Sequence, residues 1–193
     1  TPGQAEKLPF HIPVTVGLLG ADGRDLPLQL EGGALVAGTS AVLELTEGWQ
    51  TFCFVNVEEQ PVPSLLRDFS APVVLEYAYT DAELLHLFRH DSDPVNRWEA
   101  GQRLAMARLL KLTAQVAAGE ELALDDTFIA AQRALLADDT LDPAFRELAL
   151  ILPSETIIAE RMAQVDPQAI HAARQFMRTT IAAALKPELL AQY

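Results

Sequence analysis

Cysteine is nearly absent: Cys53 stands alone among 193 residues. No disulfide can form within the chain, which fits a reducing compartment, and the expected location is cytoplasmic. Basic residues are scarce as well, 14 Lys and Arg against 27 Asp and Glu, for a net charge of −13. No run of Lys and Arg occurs, which argues against nucleic acid as a partner, because a phosphate backbone needs a concentrated basic patch. Long apolar runs are missing too. None approaches the roughly 18 to 20 residues of a membrane span, so no membrane insertion is expected. The opening "TPGQAEKLPF" has neither the basic nor the apolar region of a signal peptide, and no initiator Met. The expectation is that both ends are cuts inside a longer protein. What the chain does have is apolar residues, 50% of the total, enough for a core, and a length that allows one large or two small domains.

Glycine and proline are unevenly spread. Eight of the ten glycines and seven of the twelve prolines precede Thr80. The fold class expected is therefore a small antiparallel β-sandwich over residues 1–79, followed by an antiparallel helical-hairpin array, the first part of an all-α domain, over 80–193. In "HIPVTVGLL", Ile12, Val14, Val16 and Leu18 share one face at period two. Asp22-Gly23 marks a hairpin turn. "LPLQLEG", "SAVLELTEG", "WQTFCFVNV", "PSLLRDF" and "PVVLEYAY" read as further strands, six or seven in all. Pro61 and Pro63 cannot donate ladder hydrogen bonds, so their segment belongs at an edge or a crossover.

In the second half, Asp93-Pro94, Asp142-Pro143 and Asp166-Pro167 each place a capping carboxylate before a proline at the first helical position. Thr80 with Glu83 forms a capping box ahead of "DAELLHLFRH". The next helix runs from Pro94 to about Ala118, with Trp98, Gly101 or Leu104, Leu109 and Leu112 on one stripe and Gly119 ending it. Others fall near Asp126–Ala137, Pro143–Leu152, Glu155–Gln164 and Pro167–Leu185. An interrupted array should leave apolar surface uncovered near Ile181 and Leu185.

Reactive groups are sparse. The histidines are His11, His86, His90 and His171. His86 and His90 are four apart on a helix, as in H-E-x-x-H, but Leu87 follows His86 where that motif has its general base. A polar helix face explains the pair, and no third ligand is nominated. His90, Asp91 and Ser92 are adjacent, whereas triad members converge from separate parts of a fold. Cys53, between Phe52 and Phe54 with no cationic neighbour, reads as a buried structural thiol. Gly17, Gly20 and Gly23 miss the G-x-G-x-x-G spacing. Asp125, Asp126, Asp138 and Asp139 lack a calcium-loop pattern and fit helix capping. Trp98, Phe128, Phe145 and Phe176 fall at core positions. No catalytic, metal or cofactor-binding residue is assigned.

Three segments nevertheless resemble one family. "LPFHIPVTVGLLGADGRDLPLQL" (8–30), "TFCFVNVEEQPVPSLLRDFSAPVVLEY" (51–77) and "RHDSDPVNRWEAGQ" (89–102) are similar to bacterial aminopeptidase N, with weaker similarity at 141–155 and 165–175. The resemblance implies a zinc-dependent alanyl aminopeptidase of the gluzincin type as parent. Its parts would be an N-terminal β domain, a thermolysin-like catalytic domain, a β-sandwich and a large helical domain. This chain would cover the sandwich and the start of the helical domain. The family's H-E-x-x-H and G-x-M-E-N segments do not occur here, so no catalytic or zinc residue carries over and the fragment is expected to be inactive. The implied role is that of a spacer and part of a lid over the active site. The implied partners are the upstream catalytic domain, the remaining helices and the parent's peptide substrates. The alternatives are a stand-alone protein- or carbohydrate-binding module and an enzyme in its own right using His86 and His90.

Overall fold

The computed structural model describes residue 3 and residues 8–191. The chain divides into two compact units. One comprises the residues up to Tyr79 together with His90–Arg97, and the other Thr80–Arg89 and everything from Trp98 onward.

The first unit is built on an antiparallel sheet of β1 (Ile12–Leu19), β2 (Ala41–Leu45) and β3 (Val62–Leu65), in the order β2-β1-β3. The central strand is shared lengthwise. Its first half pairs with β2, from Ile12 opposite Leu45 to Val16 opposite Ala41. Its second half pairs with β3, from Val16 opposite Leu65 to Leu19 opposite Val62. β3 has a neighbour on one side only, which is where Pro63 is tolerated. The Pro63 carbonyl accepts from the Tyr79 hydroxyl at 2.7 Å. Alternation sends Val16 and Leu18 into a core with Leu28 and Ala41. Val14, Leu26, Leu43, Phe54 and Leu65 pack around them.

Fewer segments join the sheet than the alternation predicts. The Asp22-Gly23 turn does close a hairpin: Gly23 has φ +81°, and Leu26 N–H donates to Leu18 C=O at 2.8 Å. Beyond it, "LPLQLEG" makes only isolated bridges, Gln29 to Leu35 and Leu30 to Phe54. "WQTFCFVNV" contributes that one bridge through Phe54, and "PVVLEYAY" forms no strand. "PSLLRDF" is strand only up to Leu65, because Leu66, Asp68 and Phe69 turn left-handed with φ of 60°, 55° and 50°. Alternation states which side chains could face a core, but a strand also needs a neighbour for its amides. Val74 shows the difference: an apolar residue in an alternating run, it is 91% exposed.

The second unit is helical. Among the described residues the helices are α1 (Asp81–His90), α2 (Pro94–Ala118), α3 (Asp126–Leu136), α4 (Pro143–Leu150), α5 (Glu155–Glu160), α6 (Pro167–Ala184) and α7 (Lys186–Ala191). α1 begins with the expected capping box. Thr80 N–H donates to the Glu83 carboxylate at 2.7 Å, and Glu83 N–H to the Thr80 hydroxyl at 3.2 Å. Asp142 and Asp166 cap α4 and α6 ahead of their prolines, and Asp93 accepts from Asn96 N–H at 2.8 Å in α2. α2 stops at Gly119, which takes φ +68°. α5 is shorter than the spacing predicts, and α7 lies where none was expected.

Side chains also satisfy carbonyls that helix ends leave open. Arg146 donates to Leu136 C=O at 3.0 Å at the end of α3. Arg133 donates to Ala184 C=O at 2.8 Å at the end of α6. Gln102 reaches Ile151 C=O at 2.8 Å beyond α4. α6 packs against α5 and α7, and α3 against α4 and α7. Leu185 is buried in this packing and Ile181 half-buried, so the uncovered apolar surface expected there is absent at Leu185. α7, which follows α6 directly, packs against α3 as well as α6.

The small residue in the middle of α2 has a packing reason. A Cβ on Gly101 would lie 2.6 Å from the Phe88 ring, closer than real Cβ contacts come. In an uncrowded helix, Gly→Ala stabilises by about 1 kcal/mol. Here Gly101→Ala is expected to lower the thermal midpoint, since the ring of α1 must move. A raised midpoint would show that the contact is loose.

Candidate functional site

The two most polar built regions each centre on one arginine held by two aspartates. In the first unit, the alternation of β1 puts Gly17 on the face opposite Val16 and Leu18. The space its side chain would fill belongs to Arg67: a Cβ on Gly17 would sit 2.0 Å from the guanidinium carbon. Arg67 arrives there from the left-handed turn after β3, and its side chain is 4% exposed. Its Nη2 meets Asp25 Oδ1 at 2.7 Å and Asp91 Oδ1 at 3.4 Å. Its Nη1 reaches Ser40 Oγ at 3.1 Å and Asp25 Oδ2 at 3.3 Å, and its Nε reaches Ser64 Oγ at 2.9 Å.

The two carboxylates differ in kind. Burial pushes Asp25 up, but hydrogen bonds from Arg67 and Ser92 and the guanidinium charge outweigh it, leaving Asp25 below the ordinary carboxylate range. Burial wins at Asp91, which is raised despite hydrogen bonds from Asp93 N–H and Ser64. Asp91 Oδ2 is buried and accepts nothing among the described residues. Asp25 is thus the ionised partner of Arg67, and Asp91 a carboxyl for which charge is costly.

The second cluster lies wholly in the helical unit. Arg108 of α2 binds Asp81 through both terminal nitrogens, at 2.8 and 3.0 Å, and Asp125 through Nε and Nη2, at 2.7 and 3.1 Å. Its guanidinium lies 4.9 Å from the centre of the Phe128 ring. Burial lowers Arg108, yet the two aspartates hold it well above its usual value. Asp125 is raised by burial but pulled down to about 2 by Arg108, Thr127 and Phe128 N–H. A cleft of about 170 Å³ opens beside it, lined by Arg108, Lys111, Leu112, Ala123, Leu124 and Asp125. Every Arg108 N–H already has an acceptor, so the cleft offers no guanidinium donor to a ligand. Both clusters fix geometry, and neither pairs a nucleophile with a base.

The candidate residues from the sequence do not converge. His86 and His90 stay four apart on α1, and among the described residues no third ligand is grouped with them. His11 is 3.8 Å from Glu44 on an exposed surface, and His171 2.9 Å from Glu155. Among the described residues, no group of three or more His, Cys, Asp or Glu is placed to hold a metal ion. The donor set does not fit zinc, which takes convergent nitrogen, sulfur and oxygen ligands. Cys53 is exposed, not buried as expected. The single bridge at Phe54 leaves its neighbour on the outer side. Phe128 is fully buried, while Trp98, Phe145 and Phe176 are half-buried. Asp125 is the cap of α3, as the capping reading holds, but its pairing with Arg108 left no local signal. Arg67 did leave one, as half of the lone charged pair Arg67-Asp68 in the run from "PVPSLL" to "FSAPVV".

Residues 1–78 match a family described as "Domain of unknown function (DUF3458) Ig-like fold". Residues 81–193 match one described as "Domain of unknown function (DUF3458_C) ARM repeats". Over its full length the chain is 44% identical to an aminopeptidase N of Escherichia coli and 37% identical to one of Haemophilus influenzae. It covers 22% of each. Over 86% of its length it is 43% identical to an aminopeptidase N of Caulobacter vibrioides, covering 18% of that protein. The chain therefore spans about a fifth of the curated relatives it matches. A crystal structure of Legionella pneumophila aminopeptidase A in complex with aspartic acid superposes with a TM-score of 0.70 at 28% identity, over 93% of this chain and 19% of that one.

Two outcomes follow from the clusters. Asp25→Asn is expected to destabilise by about 2–4 kcal/mol, because it leaves a buried guanidinium without its ionised partner. Asp91→Asn is expected to cost clearly less, since it removes a poorly solvated charge and keeps an acceptor. Urea unfolding of both variants measures the order. At Asp125 the folded carboxyl sits at about 2 against an ordinary 3.8, so its pairing stabilises the fold above the ordinary value and is lost as pH falls toward 2. Asp125→Asn retains a helix cap. It is expected to flatten that acid limb of the stability profile, and an unchanged limb would contradict the pairing.

Proposed function

We propose a function from one premise: this chain belongs to the DUF3458 family, an Ig-like domain followed by ARM repeats. It is a non-catalytic part of a bacterial zinc aminopeptidase, serving as spacer and as part of the cover over an active site carried elsewhere in the parent. The observation that carries this reading is the full-length match to two aminopeptidase N proteins, each about five times longer. The domain boundary is placed between Tyr79 and Thr80. Zinc is assigned to the parent's other domains, because among the described residues the His86 and His90 pair of α1 has no third ligand grouped with it. The proposed partners are the catalytic domain and the remaining helices of the same parent, with peptides as the parent's substrates. In the parent, removal of N-terminal residues would use a metal-polarised carbonyl and activated water. This chain's residues contribute fixed geometry to that reaction: the Arg67 and Arg108 clusters hold each unit in one conformation. The proposed location is cytoplasmic. No helix among the described residues is long and apolar enough to cross a membrane.

The alternative is a free-standing protein- or carbohydrate-binding module. The extent of the native gene separates the two, since a reading frame opening near Thr1 favours the module. The purified chain is expected not to hydrolyse alanine-linked chromogenic amides, with or without added zinc. Turnover that persists through purification and vanishes in His86→Ala would contradict the proposal.

A further inference from the structure

We propose that His90–Arg97 and the strands of the first unit hold each other in place, and that the Arg67–Asp25 pair is the fixture that couples them. The matched families end at 78 and resume at 81, which leaves this octapeptide with the helices. Its bonds point the other way. Ser92 donates to Asp25 Oδ2 at 2.6 Å. Asp91 accepts from Arg67 at 3.4 Å. Asn96 donates to Ser64 Oγ at 2.8 Å. The His90 ring lies over the hairpin turn, where a Cβ on Gly23 would meet it at 2.5 Å. These residues grip the hairpin, β3 and the turn after it.

Asp93 completes the attachment. Its Oδ1 accepts Asn96 N–H in the first turn of α2, and its Oδ2 accepts Asp68 N–H at 2.7 Å. Asp68 belongs to the left-handed stretch with Leu66 and Phe69, a backbone conformation that persists only where its surroundings over-determine it. One carboxylate therefore starts a helix and secures the strained turn that delivers Arg67. The segment and the sheet support each other, so neither keeps its conformation alone.

Hydrogen exchange on the 193-residue chain tests this, comparing wild type with Arg67→Met and Ser92→Ala. Arg67→Met is expected to raise exchange in β1, β3 and 90–97 together, on the order of a hundredfold, while 141–191 keeps wild-type protection. Ser92→Ala, a milder change that keeps the protein folded, is expected to give the same pattern at roughly tenfold. Loss of protection confined to 90–97, with the strands unchanged, would overturn the proposal by making the segment an appendage. So would protection unchanged everywhere in Ser92→Ala.

Discussion

An arginine side chain stands where a strand residue's own side chain should be. β1 carries apolar residues on one face and leaves a gap at Gly17 on the other, and the Arg67 guanidinium fills that gap. Burying a guanidinium is costly unless its charge and its N–H groups are met. That single requirement organises the first unit. It draws in Asp25 from the hairpin, Ser40 from the start of β2, Ser64 from β3 and Asp91 from beyond α1. Ser64 accepts from both Arg67 and Asn96, tying the guanidinium to the start of α2.

The helical unit solves a different problem with the same residue types. Its helices are short, apart from α2 and α6, and short helices depend on packing and caps more than on propensity. Caps at Thr80, Asp125, Asp142, Ser154 and Asp166 hold the starts. Arginine and glutamine side chains hold several of the ends. Arg108 ties Asp81 in the first turn of α1 to Asp125 at the cap of α3, joining two helix starts through one cation.

The helices were more legible in the sequence than the strands, for a physical reason. A helix closes its hydrogen bonds locally, so Asp-Pro caps, the Thr80–Glu83 box and Gly119 mark its limits within a few residues. A strand is completed by a distant neighbour, and alternation in "PVVLEYAY" or "WQTFCFVNV" carries no record of whether one exists. The same non-locality hid both clusters. Arg67 and Asp25 are 42 positions apart, and Arg108 and Asp81 are 27 apart. Cys53 shows the complementary error, where flanking aromatics suggested burial and a single bridge left the thiol outside.

The most direct test of the Arg67 arrangement is a double-mutant cycle with Gly17, read by urea unfolding in osmolyte-supplemented buffer so that every variant starts folded. If the guanidinium fills the Gly17 gap, Gly17→Ala costs about 3 kcal/mol in the wild type, where the new methyl collides with it, and close to nothing in Arg67→Ala, where the space is free. Equal costs in the two backgrounds would contradict the account.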